Sequence, residues 1–387
     1  MIKPHALRAF AQLASYTLPP WLRWVAASIC IVLILSALRC AWHGEYGFTD
    51  MLRYGSVFEP YAIREVKHVH RRIFEGVGYD GQFYATLSID PTLRREDMTK
   101  TMDRPQYRGR RIFLPWCAYL AGRGNPARTL SAYAIVNFAF WIGLVLLVFL
   151  RIRPGRLQEY ACALAIIFSA GVTGSVMYAL TDLPSAVLLF TALTIPVMWP
   201  LFLSAGILTR ETTLMYAPVF FILEKLKGAS TLSAVAKTAA ALAAPILWYA
   251  YCMKRIPESM VMEQIFGVPF WAMFHRLASI VHHLPQTLYP AQILFFPVAI
   301  SITAQIFYFF VHRKPTDPLW LAGAFTAVFI AFMGYGPWLD CSWILRYALP
   351  LTFAFNFLLA RQTPRVFVAW FFIGNIGCMI SPLSFPW

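Results

Sequence analysis

Apolar residues in this chain gather into long uncharged runs separated by short clusters of charge, and they do not alternate with polar residues as in a half-buried strand. The runs cover residues 24–38, 129–150, 160–181, 183–209, 212–223, 238–253, 284–311, 318–339, 347–360 and 366–387. A helix needs about 20 apolar residues to cross the hydrocarbon core, so the pattern predicts an all-α polytopic membrane protein with about 10–11 transmembrane helices. Residues 1–387 read as one transmembrane domain with no internal repeat, heptad or low-complexity tract. Lys3, Arg8 and Arg23 precede the first run, and Arg39 and large residues follow it in place of a small-residue cleavage site. It therefore predicts an uncleaved signal anchor with a cytosolic N-terminus.

Lysine and arginine in short loops set the orientation. Residues 44–111 fall outside, and Arg151, Arg153 and Arg156 return to the cytosol. The turn at Thr181-Asp182-Leu183-Pro184 is outside. Two short apolar stretches then go out and return around Arg210-Glu211, or join as one longer helix, and bring Lys225, Lys227 and Lys237 inside. Residues 254–286 form a second outer loop, Arg313-Lys314 and Arg361–Arg365 lie inside, and the tail lies outside. In the second loop, 266–284 reads FGVPFWAMFHRLASIVHHL. Apolar residues at helical spacing beside His275, Arg276, His282 and His283 predict a helix lying in the membrane interface.

Composition agrees with this class. The chain is 59% hydrophobic and 13% charged, against roughly 25% charged in ordinary globular proteins. Its net charge of +15 would suggest a nucleic-acid partner in a soluble protein. Here ten of those fifteen charges fall in cytosolic segments and report orientation. The seven cysteines show no CxxC spacing, and four of them sit inside apolar runs as small hydrophobes.

The first outer loop stands apart. Its 68 residues hold 10 of the 18 acids and 12 basic residues, and it is rich in Tyr, Phe, Ile and Val, which predicts a folded element. Gly78-Tyr79-Asp80-Gly81-Gln82-Phe83-Tyr84 sets one carboxylate between two glycines and among aromatic rings. Such an acid can serve as a general base, or simply cap its own turn. The basic run Arg104–Arg111 lies where the orientation rule gives no reason for it. Its arginines suit a phosphate clamp or a solvated face on anionic headgroups. Asp182, Arg210, Glu211 and Arg346 put ionisable groups at the outer ends of spans, where they are functional candidates. Arg210 and Glu211 can pair with each other, whereas Arg346 has no nearby acid in sequence except Asp340.

At these residues the chain resembles bacterial integral-membrane glycosyltransferases of the glycosyltransferase-C superfamily, and it is similar in motif order to the GPI-type mannosyltransferases. The resemblance rests on GYDGQFY, the following Asp90-Pro91, the arginine-rich stretch leading into Ile112-Phe113-Leu114-Pro115, Thr181-Asp182, and Leu208-Thr209-Arg210-Glu211-Thr212. It covers roughly residues 20–225, with Arg346 matching an arginine near the outer end of a late helix. The resemblance implies an enzyme of the bacterial inner membrane that transfers a sugar from a polyprenyl-phosphate donor to an envelope or lipid acceptor on the extracytoplasmic face. Asp80 would be the catalytic base, in an inverting reaction. Gln82, Tyr84, Arg104, Arg110, Arg111, Asp182, Arg210, Glu211 and Arg346 would bind the substrate and its phosphate. No nucleotide-binding glycine loop is present, and no nucleic-acid partner is expected. The sequence names no cofactor, and Asp80, Asp90 and Asp182 could supply oxygen ligands to a divalent metal. The alternatives are a secondary transporter or lipid flippase, which would carry its charges near the midplane of broken helices, and an inactive membrane scaffold.

Overall fold

The computed structural model describes residue 10 and residues 12–256, 266–283 and 290–380. Lys3 and Arg8, residues 257–265 and 284–289 of the second expected loop, and the 381–387 tail lie outside the described residues.

The chain is an all-α protein with a single two-stranded pairing, Tyr54–Gly55 beside Ile73–Phe74, among the described residues. Lipid offers backbone groups no hydrogen bonds, so a spanning segment must satisfy its own, as helices do. Four helices are long and apolar enough to cross a bilayer: Leu22–Cys40, Pro126–Ile152, Leu157–Met177 and Thr231–Arg255. A fifth is reached if Cys341–Tyr347 and Leu349–Leu359, bent by 61°, are taken as one span. These helices mark an integral membrane protein. Leu22–Cys40 exposes Val25, Ile29, Val32, Leu33 and Leu35, and Thr231–Arg255 exposes Leu232, Val235, Ile246 and Leu247, surfaces suited to lipid and not to water.

Other apolar runs form shorter helices, and the reason is local. The 183–209 run breaks into Asp182–Thr194 and Trp199–Thr209 around Pro196, because the residue before a proline is driven out of the helical region. At Arg210 the backbone is extended, followed by a 3-10 turn, Glu211–Tyr216, and then Ala217–Leu226. The two stretches around Arg210 are thus separate helices and not one longer helix.

The chain forms two compact units. The first comprises Met1–Ile29, Leu144–Gly174 and Val261–Trp387. In it the Phe295–Val311 helix lies against Pro364–Ile380 so closely that a Cβ at Gly377 would come within 2.2 Å of the Pro297 carbonyl oxygen. Several of its buried polar groups are paired across helices: Asn356 and Asn375 exchange bonds of 2.9 and 3.1 Å, and Gln305 donates to the Gly374 carbonyl at 2.7 Å. A helix runs over Trp271–His283, exposing Trp271, Phe274 and Val281 while Ala272, Met273 and Ile280 face inward.

The second unit comprises Cys30–Gly143 and Ser175–Met260. Trp199–Thr209 packs between Asp182–Thr194 and Thr231–Arg255. At the end of Ala217–Leu226, Glu224 accepts from Lys227 at 3.0 Å and from Lys237 at 2.5 Å. Residues 44–111 belong to this unit and are folded. Leu52, Val66, Ala85 and Leu87 form their core, and ion pairs Arg71–Glu59 and Arg95–Glu65, both at 2.5 Å, tie their surface. Gly78 holds φ +67°, and a Cβ there would come within 2.3 Å of the Arg53 carbonyl oxygen. Gly78→Ala is therefore expected to destabilise the unit by at least about 1–2 kcal/mol, the cost of the left-handed backbone alone, read as a lower melting temperature in detergent.

Candidate functional site

The turn before the Gly81–Leu87 helix is built by backbone contacts. The Tyr79 amide donates to the Arg53 carbonyl at 3.0 Å. Gln82 is consumed in the same work: its Oε1 accepts from the Gly55 amide at 2.9 Å and its Nε2 donates to the Val77 carbonyl at 2.7 Å. Gln82 thus clamps the loop. Asp80, at the head of the helix, keeps 39% of its side chain exposed. The turn lies against the corner that leads to Asp182. Tyr79 stacks on Tyr178 at 4.4 Å, and a Cβ at Gly81 would come within 2.5 Å of the Tyr178 carbonyl oxygen.

The basic segment brings arginines to this acid. Pro105 opens the short helix Pro105–Gly109, with Arg104 exposed at its head. Arg108 is buried and reaches in three directions. Its Nη2 donates to Asp80 Oδ1 at 2.8 Å and to Asp103 Oδ2 at 2.8 Å, and its Nη1 donates to the Tyr84 hydroxyl at 2.9 Å. Asp80 therefore sits on a guanidinium, and not in the apolar surroundings that its neighbours suggest in sequence. Arg111 grips Glu211 with two bonds, of 2.8 and 2.6 Å, and donates to Tyr84 at 2.7 Å and to the Tyr107 hydroxyl. The buried Tyr84 hydroxyl thus accepts from two guanidinium groups and joins Asp80–Arg108 to Arg111–Glu211.

Arg210 and Glu211 do not pair with each other. Successive side chains on extended backbone point to opposite sides, so Arg210 pairs with Asp182 and Glu211 with Arg111. Arg110 differs from both Arg108 and Arg111. Half-buried, it donates to Gln106 Oε1 at 3.2 Å and lies 5.9 Å from the Tyr249 ring, with no carboxylate partner among the described residues. The segment is fastened in place by Trp248 Nε1, which donates to the Gly109 carbonyl at 2.9 Å, and by Gln106 Nε2, which donates to the Ile256 carbonyl at 3.0 Å. Arg346 belongs to the first unit, where its Nε donates to the Ser342 carbonyl at 3.1 Å in a helix capped by Asp340.

The three aspartates considered as metal ligands do not gather. Asp90 accepts from the amides of Thr92, Arg94 and Arg95 in its own turn, Asp80 faces Arg108, and Asp182 faces Arg210. No group of three or more metal-binding side chains occurs among the described residues. Sequence reading passed over Arg108 and Asp103 as site residues, although both lie in or beside the basic run. Their five-residue spacing gives no sign of the pairing that the short helix creates.

Burial alone would raise the Glu211 carboxyl, but the charge of Arg111 and its hydrogen bonds outweigh it and lower the group to about 2. A carboxyl lowered on folding stabilises the protein fully above its ordinary value near 4.5 and loses that contribution as pH falls through the folded value. The melting-temperature gap between wild type and Glu211→Gln is therefore expected to hold from pH 7 down to about 5 and to close between about pH 4 and pH 2.

The arrangement offers two accessible carboxylates, Asp80 and Asp103, fixed by one buried cation that is joined through Tyr84 to a second ion pair, with Arg110, next in the chain to Arg111, lacking a carboxylate partner among the described residues. No family model matches the chain, and neither a curated protein nor a solved structure matches it.

Proposed function

We propose that this protein is a membrane glycosyltransferase of the glycosyltransferase-C kind, working on the extracytoplasmic face of the bacterial inner membrane through about 10–11 spans with its N-terminus in the cytosol. The donor is a polyprenyl-phosphate sugar and the acceptor an envelope or lipid hydroxyl. Asp80 takes the acceptor proton as the acceptor oxygen bonds to the anomeric carbon from the face opposite the phosphate. The bond from that carbon to the phosphate oxygen breaks with inversion, and polyprenyl phosphate leaves with the electron pair. Asp80 then returns its proton to water. The shorter helices count as spans in this reading, in pairs or tilted against the long ones.

The single observation that carries the reading is the connected set Asp80–Arg108–Tyr84–Arg111–Glu211, with Arg110 beside it lacking a carboxylate. A base for a hydroxyl and a cation for a departing phosphate are what this reaction requires. Arg110 is the anchor for the lipid phosphate, because the charges of Arg108 and Arg111 are already answered by acids. Arg110→Gln is expected to weaken binding of undecaprenyl phosphate to the full-length protein in nanodiscs by about 10–100-fold, the worth of a charge-assisted hydrogen bond. Unchanged affinity in a folded variant would remove Arg110 from this role.

A further inference from the structure

The Pro126–Ile152 helix carries two polar side chains on its buried face that the site described above does not use. Tyr133 and Asn137 are four residues apart and so lie on one face, with Leu130, Ala134 and Phe138 buried around them. Both are 0% exposed. Neither the Tyr133 hydroxyl nor either end of the Asn137 carboxamide has a hydrogen-bond partner among the described residues. Burying a polar atom without a partner is costly, and more so in a helix with lipid around it. The reciprocal pair Asn356–Asn375 shows how two buried carboxamides can meet that cost between themselves. The groups acting electrostatically on Tyr133 are Tyr84, Arg111, Asp80 and Arg108, so the polar pair adjoins the acid–arginine network.

The donor and acceptor inventory selects the ligand. A tyrosine hydroxyl both donates and accepts, and an asparagine carboxamide offers two donors and one acceptor oxygen. A phosphate, which brings acceptors only, would leave the Asn137 oxygen unanswered. A ring bearing several neutral hydroxyls answers every atom, since each hydroxyl donates and accepts. We infer that Tyr133 and Asn137 form a subsite for the hydroxyls of the donor's sugar ring, beside the acid–arginine network that carries Asp80. The inference rests on the glycosyl-transfer reading and extends it to sugar recognition.

The test compares affinities of the full-length protein in nanodiscs for undecaprenyl phosphate and for the same lipid bearing glucose, mannose or galactose. Wild type is expected to bind at least one sugar-bearing lipid about tenfold tighter than the bare lipid. Tyr133→Phe and Asn137→Leu each cut that preference by about fivefold or more while bare-lipid affinity stays within about twofold. Tyr133→Phe removes one oxygen from a packed ring and guards against a variant that fails to fold. A preference that survives in either folded variant overturns the inference, as does a wild type that binds bare lipid but prefers no sugar; both outcomes leave the phosphate reading standing. A wild type that binds none of the four lipids overturns the glycosyl-transfer reading itself, and the subsite with it.

Discussion

Asp80→Asn is expected to lower turnover by about 10²–10⁴-fold, the usual contribution of a positioned general base. The structure explains why the loss should fall on chemistry and not on folding. Arg108 keeps Asp103, bonded through both Nε at 2.9 Å and Nη2 at 2.8 Å, and keeps the Tyr84 hydroxyl, so its charge stays answered when the Asp80 carboxylate is gone. The turn itself is held by Gly78 and by Gln82, neither of which depends on the acid. The variant should therefore melt close to wild type and bind the donor with similar affinity while releasing little lipid phosphate. A variant that unfolds would instead make Asp80 a structural partner of Arg108.

The second large effect is on stability. Glu211→Ala leaves the buried Arg111 facing only two hydroxyls, Tyr84 and Tyr107. Removing one partner of a buried ion pair costs about 3–5 kcal/mol. We expect about 3 kcal/mol, the low end of that range, because Glu211 keeps 24% of its side-chain surface exposed. The double variant Arg111→Met/Glu211→Leu should recover most of that loss, since replacing both members removes the uncompensated charge. Thermal unfolding of these two variants and wild type in one detergent makes the comparison. A double variant as unstable as Glu211→Ala would show that Tyr84 and Tyr107, and not the acid, are what Arg111 supports.

The two effects separate what was legible in the sequence from what was not. The length and apolarity of 129–150 predict the Pro126–Ile152 helix within a few residues, because nothing in that run competes with helix formation. The break after Thr209 was visible as charge, but its geometry was not. Whether Arg210 turns to its neighbour or to Asp182, 28 residues earlier, depends on an extended backbone that no periodicity reports. The acidic motif named Asp80 and missed its partner. Arg108 looked like one member of a basic run, and only the Pro105–Gly109 helix singles it out by turning it inward while Arg104 stays at the surface. Gln82 read as a substrate contact because it sits in the motif, yet its amide holds two backbone groups. Tyr133 and Asn137 could have been flagged, since polar residues one turn apart inside an apolar span are unusual. Their lack of partners becomes visible only once the helix is packed.

The central claim is glycosyl transfer from a lipid phosphate with Asp80 as base. Incubating the purified full-length protein, wild type and Asp80→Asn, with a panel of polyprenyl-phosphate sugars and acceptor lipids, and measuring released polyprenyl phosphate, tests it most directly. The account predicts release by wild type from at least one donor, with a new glycosidic bond of inverted configuration, and a loss of about 10²–10⁴-fold in Asp80→Asn. Equal release by the two proteins, or movement of the lipid across the membrane with no new glycosidic bond, would contradict it.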